Sequence, residues 1–285
     1  MEKFKVLLFL ISIFLVTQLL GLYVGGKFLN LIKSGEVQPI FENPAQPSNS
    51  IFMIIYILVI TGVFIFVVRY VKGIIRGFEA FAVFFSSLIA FELIIPIDIW
   101  ILSVGFFLAL GLTAWKVLRP SILNQNIAVI FSIAGAGAVL GASLGLVPVL
   151  IFVVLLSIYD FISVFVTKHM VYIAKEIVKS PMAFTIAIPS KFGRNMKVIQ
   201  GSKKSKSKFH VFQLGGGDIA IPLVFSVSVL SSFNLAHALF TTLGSLISLA
   251  GLFLYVMKKP GKPLPALPWI ASGTILFFII SLFVF

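Results

Sequence analysis

Apolar residues gather in nine blocks along this chain, at roughly 4–25, 51–68, 77–95, 97–115, 127–145, 147–170, 214–233, 237–257 and 264–285. A bilayer core takes about 20 apolar residues of helix, so each block predicts a transmembrane helix, some of them short. A tight turn at Pro96 joins the third block to the fourth, and Pro148 separates the fifth from the sixth. Gly215, Gly216 and Gly217 break the start of the seventh. The first block follows Lys3 and Lys5. It is longer than the apolar core of a cleaved leader and lacks a small-residue cleavage site, so it is expected to be a retained span.

Composition narrows the class. The chain is 60% hydrophobic and 11% charged over 285 residues, with a mean hydropathy of +1.15. A soluble domain of that size could not cover so much apolar surface with so few charges. There is no cysteine, and the three histidines, His169, His210 and His237, are scattered. Neither a disulfide nor a metal centre is expected. The net charge of +13 would suit nucleic acid, but its placement points to membrane topology instead.

Under nine spans, 20 of the 22 Lys and Arg fall on one side, and only Lys27 and Lys33 on the other. Positive residues stay in the cytoplasm, which predicts a cytoplasmic N-terminus and an external C-terminus. The longest connection, between the sixth and seventh spans, is then cytoplasmic. Its stretch 201–208, GSKKSKSK, is basic and suits anionic lipid or a flexible gate. Gly137, Gly141 and Gly145 form two overlapping GxxxG patterns in the fifth span, read as close packing within the chain. Glu79, Glu92 and Asp98 are read as interfacial.

Asp160 and Asp218 lie inside apolar segments, LLSIYDFISVF and FQLGGGDIAIPL. An ionisable group in a span is a functional-site candidate by default. Asp160 precedes Lys168 by eight residues, about 12 Å of helix. Asp218 follows Lys208 by ten. The two carboxyls therefore sit at similar depth on antiparallel neighbours. Two adjacent carboxyls share one proton, so a charged one can act on water while a protonated one donates to a carbonyl. That chemistry needs no cofactor. An ion- or proton-coupled transporter uses midplane carboxylates too and is the alternative.

The neighbouring residues separate these readings. Tyr159-Asp160, Gly215-Gly216-Gly217-Asp218 and Pro265-Ala266-Leu267 resemble the YD, GxGD and PAL motifs of the presenilin and signal peptide peptidase family, in that family's order and topological places. Type IV prepilin peptidases also carry a GxGD aspartate, but without the YD and PAL pairing. The resemblance implies a GxGD intramembrane aspartyl protease, an all-α, nine-helix, multi-pass protein of the cell membrane, similar to a compact archaeal homologue. It implies Asp160 and Asp218 as catalytic, with Tyr159, Gly215, Gly216, Gly217, Pro265, Ala266 and Leu267 at the substrate. Residues 1–145 would be a scaffold and 146–285 the catalytic part of one membrane domain. The implied partners are transmembrane helical substrates and lipid, not nucleic acid, with room for a homo-oligomer.

Proteolysis requires a substrate helix to unwind and find new backbone partners, which an added β-strand supplies. Gly215 and Gly217 are expected to allow unusual backbone angles and close approach. Residues 182–189 (MAFTIAIP) and 210–213 are expected as extended segments, and the prolines of KPGKPLPALP as non-helical backbone.

Overall fold

The computed structural model describes residues 2–70, 74–99, 102–166, 185–189, 211–258 and 264–285. The basic stretch 201–208, residues 182–184, His169, His210 and Lys168 lie outside the described residues. Each of the nine apolar blocks appears as a helix among the described residues: α1 (Glu2–Ser34), α2 (Ser48–Tyr70), α3 (Ile74–Ile94), α4 (Val104–Leu118), α5 (Ile122–Ser143), α6 (Leu146–Phe165), α7 (Gly216–Ser232), α8 (Leu235–Lys258) and α9 (Ala266–Val284). Six of them, α1, α3, α5, α6, α8 and α9, are long and apolar enough to cross a membrane. The apolar stretches in α2, α4 and α7 are shorter.

Two boundaries differ from the sequence expectation for physical reasons. α1 continues past residue 25 to Ser34, a rod of about 50 Å, because nothing before Gly35 breaks a helix and Gly35 then takes φ 79°. The fourth helix begins only at Val104, since Asp98–Ile99 (β1) and Leu102–Ser103 (β2) form a small antiparallel hairpin first. Ser103 then caps α4 by accepting from the Phe106 N–H, 3.0 Å away.

α7 is the centre of the packing and touches α1, α5, α6, α8 and α9. Its residues Leu223, Val224, Phe225, Val227 and Val229 are at most 1% exposed. It is gripped through glycines. Gly21 and Gly25 of α1 face Leu223 and Val227, while Gly137 and Gly141 of α5 face Leu223, the Val224 carbonyl and Val227. Gly145 instead faces the Pro44–Ala45 backbone. The GxxxG pattern therefore serves packing inside the chain. α8 and α9 approach as closely at Gly244 and Gly273. α2 lies against α6 and leaves Ile51, Phe52, Ile55 and Tyr56 more than half exposed, as suits a lipid-facing helix.

Two further strands, Thr185–Pro189 (β3) and Val211–Gly215 (β4), pair antiparallel, Thr185 opposite Gly215 and Ala187 opposite Gln213. This sheet confirms the extended character of 185–189 and 211–213. Ile186, Ala187 and Ile188 are buried, and β3 rests on α5 and α1.

Two charges read as interfacial have partners within the protein. Glu79 of α3 pairs with Lys116 of α4, and both are buried. Glu92 is half-buried and accepts from the Ser103 hydroxyl.

Candidate active site

β4 runs straight into α7. Gly215 is the N-cap of that helix, so Asp218 is its third residue. A carboxylate at this position can reach back to the N-cap N–H, which has no partner in its own helix. The Gly215 N–H does donate to the Asp218 carboxylate. The position also places a negative group at the positive end of the helix dipole. α7 has 17 residues, about 26 Å, against a hydrocarbon core of about 30 Å. A helix of that length is shorter than the hydrocarbon core, and irregular backbone at membrane depth persists only against protein or a water-filled cavity.

Asp160 lies in the last two turns of α6, half-buried. Its Oδ2 accepts from the Leu267 N–H at 3.3 Å. The proline segment explains why that donor is free. Pro265 has φ −68° and ψ 117° and is the N-cap of α9, so Leu267 is the second residue of the helix. The first N–H groups of a helix have no intrahelical acceptor. α9 thus presents one to Asp160, as α7 presents one to Asp218. α6, which carries Asp160, packs against α7, which carries Asp218.

The remaining predicted residues gather around this pair in different ways. Tyr159 is half-buried on α6 beside Asp160. Ala266 opens α9, and Leu267 and Pro265 are buried. A Cβ added at Gly215 would stand 3.1 Å from Asp218 Oδ2, so this glycine does serve close approach. Gly216 opens α7. Gly217 is exposed with no atom within 4 Å of an added Cβ. The expected unusual backbone angles are not found. Gly215 has φ −62°, and among the described residues the positive φ belongs to Gly35. A strand leading into a helix needs only ordinary angles, so space beside the carboxylate, rather than conformational freedom, explains Gly215.

Sequence reasoning missed Asn126 and Gln125. Both are buried in the first turns of α5. Asn126 Nδ2 donates to the Ala187 carbonyl and Asn126 Oδ1 accepts from the Ala187 N–H, each at 2.9 Å. Gln125 Nε2 donates to the Thr185 carbonyl at 3.2 Å. The signal was present in the sequence as Asn124-Gln125-Asn126 opening an otherwise apolar helix. Because Asn126 takes both backbone groups of Ala187, the pair Ala187–Gln213 is not hydrogen-bonded across the sheet. The Gln213 N–H and carbonyl consequently point away from β3. β4 is an edge strand in this two-stranded sheet: among the described residues no other strand pairs with its outer edge, whose last N–H, that of Gly215, turns to Asp218.

A groove of about 340 Å³ lies between α6 and α9, lined by Ser157, Ile158 and Phe161 on one side and Pro268, Ala271 and Ser272 on the other. Its lining residues Phe161 and Pro268 directly follow Asp160 and Leu267 in the chain. Phe161 is 51% exposed.

Residues 11–285 match the family described as signal-peptide peptidase, presenilin aspartyl protease. A solved presenilin family intramembrane aspartate protease in the C222 space group is 25% identical, with a TM-score of 0.70, covering 98% of this chain and 99% of its own. A structure so described in the P2 space group is also 25% identical, with a TM-score of 0.65, covering 94% of this chain and 97% of its own. No curated protein matches the sequence.

Proposed function

The chain belongs to the signal-peptide peptidase and presenilin aspartyl protease family, and from that premise we propose that Asp160 and Asp218 form its catalytic dyad and cut peptide bonds within transmembrane segments. The protein is a multi-pass intramembrane aspartic endopeptidase. The observation that supports the dyad is that the Asp160 carboxylate, on α6, accepts from the Leu267 N–H, and that α6 packs against the α7 that carries Asp218.

In the reaction, the ionised carboxyl takes a proton from water as its oxygen attacks the scissile carbonyl carbon. The protonated carboxyl donates to the carbonyl oxygen. The tetrahedral diol collapses as a proton passes to the amide nitrogen, and the C–N bond breaks. The pair acts as a unit, so neither aspartate has a fixed role.

The substrate helix enters along the α6–α9 groove and unwinds beside Asp218. Its freed backbone groups pair with the outer edge of β4, including Gln213. Gly217 leaves room for it. Tyr159, Gly216, Pro265 and Ala266 complete the substrate surface.

Nine spans with the N-terminus in the cytoplasm of the cell membrane follow from the charge map, and substrates then have their own N-terminus outside. α1 and α5 grip α7, which supports residues 1–145 as scaffold for a catalytic part at 146–285. The transporter alternative is not favoured by the family and the neighbouring structures.

The test is reconstitution with a single-span substrate. Asp160→Ala and Asp218→Ala should each lower cleavage by about 10³-fold. Wild-type cleavage by either variant would overturn the dyad, and proton-coupled flux without cleavage would restore the transporter.

A further inference from the structure

β3 has two edges, and different kinds of partner hold them. β4 pairs with one. Along the other runs the start of α5, whose side chains do the work of a strand. A primary amide offers a donor and an acceptor side by side, as a peptide group does. Asn126 uses both on Ala187, and Gln125 adds the Thr185 carbonyl. Asn126 is 3% exposed and Gln125 5%. Buried amides are costly unless satisfied, and these are matched to one strand at a two-residue spacing, Thr185 and Ala187. A strand slipped by one residue would turn its other row of backbone groups toward α5 and lose the match.

α5 also holds α7 directly through Gly137 and Gly141. The same helix thus fixes the sheet and the helix that carries Asp218. We propose that Asn126, supported by Gln125, is a positioning residue that fixes the register of the β4 edge against the dyad and so decides which substrate bond is cut. The proposal rests on the reading that unwound substrate pairs with β4. Asn126 touches no substrate in it. It acts through Ala187, then Gln213 across the sheet, then the strand that leads to Gly215.

The experiment compares the full-length wild type with Asn126→Leu, Asn126→Asp and Gln125→Met on one single-span substrate. Products are identified by mass spectrometry and folding by thermal unfolding. Asn126→Leu removes both bonds at similar volume and Asn126→Asp keeps only the acceptor. In Asn126→Leu, the ratio of cutting at the principal bond to cutting one or two residues away should fall about tenfold, the worth of one to two hydrogen bonds. Asn126→Asp and Gln125→Met should give smaller shifts.

A folded, active Asn126→Leu that cuts at the wild-type bonds, however slowly, sinks the proposal, because a merely structural role would change rate without changing position. If Asn126→Leu does not fold, hydrogen exchange at the Ala187 amide of the wild type decides. Strong protection supports the clamp and exchange at the unprotected rate overturns it. Failure of the wild type to cut any substrate would sink the protease reading and this proposal together. Unchanged products from an active variant would sink the clamp alone.

Discussion

Replacing Gly141 by alanine should separate the two central helices and disable the site without touching it. A Cβ at Gly141 would lie 2.6 Å from the Val224 carbonyl oxygen and 2.7 Å from the Val227 Cβ. Ordinary carbon contacts are about 3.5–4.0 Å, so α5 and α7 must part by about 1 Å. The obstacle is backbone and the root of a β-branched side chain, neither of which can rotate away. Overpacking of this kind costs about 1–3 kcal/mol. Asp218 rides on α7, and a misplacement of about 1 Å in a catalytic group can cost about 10²-fold in rate. The control is Gly111→Ala on α4. An added Cβ there meets nothing within 4 Å, so only the helix preference for alanine remains, about 1 kcal/mol in favour. Thermal unfolding in detergent and kcat on a single-span substrate measure both effects. The expected result is a lower Tm and a kcat reduced ~10²-fold for Gly141→Ala, with Gly111→Ala at least as stable as wild type and fully active. A Gly141→Ala protein of wild-type stability and rate would refute the idea that glycine contacts set the position of α7.

Gly215→Ala should lower kcat by pressing on Asp218 Oδ2 at 3.1 Å, while Gly217→Ala, facing open space, should leave Tm unchanged and raise KM as it fills substrate room; steady-state kinetics on the two variants separate these effects. Lys116→Met should destabilise by about 3–5 kcal/mol by taking the cation away from the buried Glu79 carboxylate, and Glu79→Leu with Lys116→Met should recover most of it; a double variant no better than the single one contradicts this. Gln18 is fully buried on α1, and its Nε2 donates to the Ile219 carbonyl at 2.9 Å while its Oε1 has no hydrogen-bond partner among the described residues. Gln18→Met therefore loses one bond and also removes an unsatisfied oxygen, so thermal unfolding should show a change under about 1.5 kcal/mol.

The nine helices and the two aspartates were legible in the sequence because both rest on local composition. A run of apolar residues forms a helix in lipid regardless of its neighbours, since every backbone group must be paired within the segment. A carboxyl in such a run is conspicuous because of its desolvation cost. The pairing of Glu79 was not legible for the converse reason. Its neighbours along the chain say nothing of Lys116, which arrives from the next helix. Asn126 was missed because an amide near a helix start reads as interfacial until the strand it holds is known, and that strand lies 61 residues later in the chain.

The sequence by itself therefore determined the class, the helices and the two candidate acids, because hydrophobicity and charge are properties of single segments. The tertiary structure decided what each acid is bonded to. The Leu267 N–H is free through the helix start that follows Pro265, but only the packing of α9 against α6 delivers it to Asp160. The orientation of the β4 edge is likewise decided by α5, whose Asn126 holds the far side of β3. Both depend on contacts between residues remote along the chain, and no local pattern encodes those.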